Sequence, residues 1–237
     1  MPFQSATRTD VGLRRKANED AVCDRSEIGF WAVADGMGGE DAGEVASGMI
    51  VDTFQSLVSE GAAPELATDA RRQVETVNKA IYDLANSGPV RRTIGSTVVG
   101  LAIAKGRFDC FWVGDSRAYL IRQRRISRLT RDHSLVEDLI RAEMLKPEDA
   151  ENHPDSNVIT RAVGVAAEVE IDSVEGEALP DDIFLLASDG LTRVVKDQEL
   201  LEIVTRNNPM QAADRLLETV LERGAPDNVS LIVVRVA

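Results

Sequence analysis

Phe30-Trp31-Ala32-Val33-Ala34-Asp35-Gly36-Met37-Gly38-Gly39 joins an uninterrupted apolar run to an aspartate and a glycine-rich turn. A short apolar and aromatic run closed by Asp and Gly predicts a buried strand. The same grammar recurs along the chain. Phe111-Trp112-Val113 runs into Gly114-Asp115-Ser116-Arg117, Ile183-Phe184-Leu185-Leu186-Ala187 runs into Ser188-Asp189-Gly190, and Asp227-Asn228 immediately precedes Val229-Ser230-Leu231-Ile232-Val233-Val234. A single Asp-Gly is ordinary turn chemistry, because Asp bonds its own backbone and Gly tolerates positive φ. Repetition at the ends of strongly apolar runs points further. Rigid strands can hold carboxylates at one end of a sheet, and clustered carboxylates repel unless a cation sits among them. Oxygen-only ligation suits a hard divalent ion. The pattern therefore predicts a carboxylate metal centre.

Around these strands the spacing changes to a helical period. Val45, Ala46, Met49, Ile50, Thr53, Phe54 and Leu57 define an apolar face over residues 42–57, and Leu66, Ala70, Val74, Val77, Ile81 and Leu84 another over 64–85. A strand block follows at 96–104, 107–113 and 118–121, with Lys105-Gly106 as a tight hairpin. Ser134-Leu135-Val136-Glu137 has the form of a capping box opening a helix through about Leu145. The polar segment 146–157, with Pro147 and Pro154, reads as an exposed loop or lid. Asp197 caps a helix through Val204, Pro209 starts another, and the last strand runs from Asn228 to Val236. Strand blocks and helix pairs in this order predict an α+β fold with mainly antiparallel sheets rather than βαβ units.

Composition narrows the function classes. The 237 residues can bury a substantial core, and 43% hydrophobic with 28% charged residues is ordinary for a soluble globular chain. A net charge of −13 argues against broad nucleic-acid binding, which needs a basic footprint. It also repels a phosphorylated substrate at long range, so local positive charge must overcome it. Cys23 and Cys110 lie near predicted strands without metal-ligand spacing and read as buried free thiols. No basic segment followed by an apolar stretch opens the chain, and no apolar run reaches membrane-spanning length, so a cytoplasmic location is the default expectation. Ser116 and Ser188 have no recognisable histidine base among the two histidines, which argues against a Ser-His-Asp hydrolase.

Arg15-Lys16-Ala17-Asn18-Glu19-Asp20, Asp35-Gly36-Met37-Gly38-Gly39, Gly95-Ser96-Thr97, Gly114-Asp115-Ser116-Arg117, Ile159-Thr160-Arg161-Ala162-Val163-Gly164, Ser188-Asp189-Gly190-Leu191 and Asp227-Asn228-Val229-Ser230 stand in an order that resembles the metal-dependent type 2C Ser/Thr protein phosphatases, in their compact bacterial branch. Each motif alone is weak; the ordered set, from about Thr9 to Val236, is specific. The resemblance implies a sandwich of two mainly antiparallel sheets flanked by helices (α-β-β-α), spanning residues 1–237 as one catalytic domain, with a flap at about 145–157. It implies two Mn²⁺ or Mg²⁺ ions and a third, weaker one. Asp35 would bridge the two core ions, the Gly36 carbonyl would ligate one, and Asp189 and Asp227 the other. Glu19 and Asp20 would act through ion-bound water, Asp115 with Asp189 would hold the third ion, and Arg15 would bind the substrate phosphate. The implied reaction is hydrolysis of phosphoserine and phosphothreonine by direct attack of a hydroxide bridging the ions. The implied partners are phosphorylated proteins and a cognate Ser/Thr kinase, with no nucleic acid, no membrane and a monomeric chain.

Met37 stands where some relatives carry a histidine thought to protonate the leaving group, and methionine has no proton to give. His133 sits between the helix-cap residues Asp132 and Ser134 and reads as structural; His153 falls in the polar segment. Two alternatives set the comparison. A phosphoprotein-binding module without turnover would be expected to lack a core ligand, whereas Asp35, Asp189 and Asp227 are all present. A hydrolase of small phosphorylated metabolites would favour a deep enclosed pocket.

Overall fold

The run Phe30–Ala34 lies within β3 (Phe30–Gly38), and its surroundings explain why it contains no polar position. Successive side chains of a strand point to opposite faces. Phe30, Ala32 and Ala34 pack into one buried cluster, while Trp31 and Val33 pack into another. Both faces are dry. The computed structural model describes residues 2–38, 42–58, 62–87 and 92–237. Gly39, the last residue of the stretch quoted first, lies outside them.

Among the described residues the strands form two antiparallel sheets. One has the order β1 (Phe3–Asp10), β11 (Val229–Val236), β10 (Ile183–Ala187), β7 (Arg117–Arg122) and β8 (Arg125–Arg128). The other has the order β2 (Asp20–Arg25), β3, β5 (Val98–Ala104), β6 (Arg107–Val113) and β9 (Asp172–Glu177), with β4 (Ile94–Ser96) also paired to β3. Trp31, Leu101 and Phe108 of the second sheet meet Phe184, Ile232 and Val234 of the first in the central layer. Helices α1 (Ala42–Thr53) and α2 (Ala63–Asn86) cover the outer face of the second sheet, with Ile50, Val74 and Ile81 against Phe30 and Phe111. Helices α5 (Asp197–Arg206) and α6 (Pro209–Glu222) cover the first, with Leu200, Leu216 and Val220 against Leu185 and Val233. The layers are α-β-β-α, as the resemblance implied. Each fully buried large apolar side chain contributes about 1.5–3 kcal/mol, so three such interlayers hold the sheet rims firmly.

Several local expectations shift. Val45 is 45% exposed; Ala42, Gly43 and Ser47 are buried instead, because small residues let α1 sit close on its sheet. The strand expected over 96–104 is divided at Thr97, whose N–H donates to the Asp35 carbonyl at 2.8 Å and whose Oγ1 accepts from the Asp35 N–H at 3.1 Å. The break clamps Asp35. Lys105 and Gly106 have φ of 51° and 75°, the left-handed pair that a two-residue hairpin requires. Ser134 does cap a helix, its Oγ accepting from Glu137 N–H at 3.4 Å, but α3 (Leu135–Arg141) stops before Leu145, near Glu143 at φ 57°. The polar segment beyond contains a 3-10 turn, Pro147–Asn152.

Candidate metal centre

Antiparallel pairing places the end of one strand beside the start of its neighbour, and this gathers the aspartates on one rim. Asp20 opens β2 directly opposite Asp35 on β3. Ala187 at the end of β10 pairs with Leu231 on one side and Arg117 on the other. Ser188-Asp189 therefore leaves the sheet beside Asp227-Asn228 and beside the Gly114–Ser116 turn. Gly114 sits at φ 106°, where a side chain would also strike Thr97, so the turn carrying Asp115 depends on glycine.

Asn228 ties the rim together. Its Oδ1 accepts from the Glu19 N–H at 2.9 Å, and its Nδ2 donates to the Val11 and Ala17 carbonyls, each at 2.9 Å. These bonds fix the β1–β2 connection, which carries Arg15 and Glu19, against the start of β11. The Gly36 N–H donates to the Glu19 carbonyl at 3.0 Å. Asp189 begins the four-residue helix α4 (Asp189–Thr192). A side chain at Gly190 would collide with the Asn228 carbonyl, so glycine lets α4 press against that anchor.

The result is a cleft of about 350 Å³ lined by Arg15, Glu19, Asp35, Gly36, Asp115, Asp189, Arg193 and Asp227, with Met37 also in its wall. Of the residues expected to serve ions or phosphate, Asp20 is the one absent from this lining; it is buried at the start of β2. A larger cavity of about 650 Å³ adjoins it and shares Asp115, Asp189, Arg193 and Asn157. The carboxylates converge in the smaller space.

Electrostatics there demand a cation. Burial, followed by repulsion from Asp20, Asp189, Asp115 and Asp227, pushes Asp35 well above the usual carboxylate range. Burial lifts Asp20 to about 6; the Ser230 and Ser188 hydroxyls oppose this, while Asp189 and Asp227 add to it. Burial and then Asp189 lift Asp115 to about 7, against the pull of Arg193. Asp189 is raised by burial although Arg193 lowers it. Asp20 Oδ2 accepts from Ser188 Oγ at 2.9 Å, whereas its buried Oδ1 has no hydrogen-bond partner among the described residues. An all-oxygen donor set with excess negative charge and an unsatisfied buried carboxylate oxygen fits a hard divalent ion.

Among the described residues, however, no three Asp, Glu, His or Cys side chains form a ready coordination shell. Guanidinium groups hold the carboxylates instead. Arg15 Nη2 lies 2.7 Å from Asp227 Oδ2, and Arg193 spans Asp189 at 2.8 Å and Asp115 at 3.2 Å. A divalent ion in the cleft would compete with the arginines for these carboxylates. Arg193, the Asn228 anchor and the Thr97 clamp were missed in the sequence. Arg193 stands one helical turn after Asp189, a spacing that becomes legible only once the short α4 is known. His133 is buried: its Nδ1 accepts from the Gly114 N–H at 3.0 Å, and its ring stacks on Trp112. It braces the Asp115 turn. His153 Nδ1 accepts from the Asp155 N–H at 3.2 Å within the polar segment.

A cation-demanding carboxylate cleft with an arginine at its mouth, on the rim of an α-β-β-α sandwich, defines a metal-dependent phosphoester hydrolase. The family described as Protein phosphatase 2C matches residues 14–228. The serine/threonine phosphatase stp of Listeria welshimeri is 36% identical over 235 residues, which cover 96% of this chain and 93% of that protein. The structure of PppA, a key regulatory component of T6SS in Pseudomonas aeruginosa, has a TM-score of 0.90 at 38% identity and covers 99% of this chain and 98% of its own. The catalytic domain of the serine/threonine protein phosphatase PstP, solved in complex with two manganese ions, has a TM-score of 0.89 at 33% identity and covers 99% of both chains. The chain belongs to the protein phosphatase 2C family and is a metal-dependent protein phosphatase.

Proposed function

We propose that residues 1–237 act as one catalytic domain that hydrolyses phosphoserine and phosphothreonine on proteins, as a cytoplasmic monomer opposing a Ser/Thr kinase. The observation that carries this reading is the convergence of Asp35, Asp115, Asp189 and Asp227 with Arg15 around one cleft. Asp35 would hold two Mn²⁺ or Mg²⁺ ions together, with the Gly36 carbonyl serving one and Asp189 and Asp227 the other. Glu19 and Asp20 would support the ions through water, and Asp115 with Asp189 would face the family's third, weaker position. When bound, the ions supply Lewis acidity that lowers a water's pKa towards neutrality and offsets charge on the phosphoryl oxygens.

The chain's own residues do the rest. Arg15 stays charged at every working pH, and its planar fork matches two phosphate oxygens. Its side chain is 52% exposed at the mouth, where Asp227 holds it by one nitrogen. That local charge offsets the long-range repulsion of a chain at −13. Asn228 keeps Arg15 and Asp227 on a common frame. The adjoining 650 Å³ cavity, lined partly by Pro147, Ala150, Ser156 and Asn157, gives room for polypeptide beside the phosphate. It supports a flap at about 145–157 that selects protein substrates rather than a closed metabolite pocket.

The test is Mn²⁺-dependent phosphate release from a phosphothreonine peptide by wild type and Asp189→Asn. Loss of one ion ligand should lower kcat/KM by about 10²–10³, the equivalent of several kcal/mol of transition-state stabilisation. Folded wild type that binds Mn²⁺ yet releases no phosphate from such peptides would end the reading.

A further inference from the structure

Arg193 occupies a place that no motif assigns. It follows α4, and its N–H donates to the Asp189 carbonyl at 2.9 Å, which fixes the start of its side chain. Its Nε lies 2.8 Å from Asp189 Oδ2, and its Nη2 lies 3.2 Å from Asp115 Oδ2. An exposed ion pair one helical turn apart would be an ordinary surface bridge. Here the acceptors are largely buried, they come from two different strand ends, and a single planar fork spans both. Arg193 also lines both cavities and so stands on the boundary between them.

We propose that Arg193 is a built-in cation of the cluster, neutralising Asp115 and Asp189 from within the chain and thereby holding the cleft to two divalent ions. The proposal rests on the reading that Asp35, Asp189 and Asp227 hold the core pair. An additional ion shared by Asp115 and Asp189 would have to take the same carboxylates that the guanidinium holds, and like charges brought together in a partly buried site repel strongly. Arginine cannot relieve this by losing its proton. It would have to swing away and give up both carboxylates. The family's third position is thus answered in this chain by a side chain.

Isothermal titration of Mn²⁺ into chelator-stripped protein tests this, with circular dichroism to confirm folding. Wild type should take two ions per chain. Arg193→Gln should take a third, at least about tenfold tighter than any third binding to wild type, and the double variant Arg193→Gln with Asp115→Asn should lose it again. If Arg193→Gln fails to fold, Arg193→Met keeps the packing of the stem and is scored in the same way. Two ions in both wild type and the single variant would overturn the proposal, as would a third ion bound equally by both. Wild type that takes up no Mn²⁺ would overturn the core metal reading as well, so the two failures are distinct.

Discussion

Replacing Asp20 with asparagine removes one negative charge from beneath the carboxylate cluster while keeping its shape. Asp20 is 9% exposed, and the folded chain raises its pKa from 3.8 to about 6, chiefly by burial. An unfolded aspartate is ionised above about pH 4, so between about 4 and 6 the folded chain binds more protons than the unfolded one. Metal-free stability therefore falls as pH rises through that window and stays low above it. At about 1.4 kcal/mol per pH unit the full penalty at pH 8 is about 3 kcal/mol. Neighbouring carboxylates share the proton uptake and the new amide needs partners, so Asp20→Asn should stabilise the metal-free chain by about 1–3 kcal/mol at pH 8. At pH 5 the gain should be roughly half as large. For a chain of this size the gain at pH 8 corresponds to a Tm rise of about 3–10 °C. Urea unfolding in chelator, followed by the fluorescence of the buried Trp31 and Trp112, measures it directly. With saturating Mn²⁺ the gain should disappear or invert, because ions turn the repulsion into attraction. An Asp20→Asn chain that is less stable than wild type at pH 8 without metal, or equally stabilised at both pH values, would refute the reasoning.

Further expectations concern the same rim. Arg15→Ala should raise KM for a phosphothreonine peptide about 10–100-fold with a smaller change in kcat, as expected for a lost charge-assisted hydrogen bond; an unchanged KM would remove Arg15 from phosphate binding. The Tm increase given by Mn²⁺ should be larger at pH 8 than at pH 5, because Asp115 and Asp20 hold protons up to about 7 and about 6 and must release them to serve a cation. Equal shifts at the two pH values would show that these groups do not take part. Gly190→Ala must push α4 off the Asn228 carbonyl, so a loss of about 1–3 kcal/mol and weaker Mn²⁺ binding are expected. Thermal melts and calorimetry read both, and a variant with wild-type stability would contradict the close contact.

Legibility in the sequence followed the strength of local signals. The runs at β3, β10 and β11 were readable because both faces of each strand are buried, which keeps nearly every position apolar. Phe3–Asp10 carries no such pattern. Its strand state comes from an eight-residue register with β11, a partner more than two hundred residues away. Asp172–Glu177 is likewise polar and is held by pairing with β6. Val45 fits the helical period yet faces solvent, since the period describes an angle around the helix axis and not the neighbour that α1 meets.

The amino-acid sequence by itself marked Asp35, Asp115, Asp189 and Asp227 as candidates, because an aspartate at the edge of an apolar run is a local property. It also determined the helix pairs and the broad α+β class, through periods of two and 3.6. Only the tertiary structure decided that those carboxylates share a rim, since that depends on antiparallel register between distant strands. It alone showed that Thr97 clamps Asp35, that Asn228 anchors the Arg15 connection, and that Arg193 lies across Asp115 and Asp189. Each of these contacts joins groups whose separation in space is set by packing of the two sheets, a quantity that no local spacing encodes.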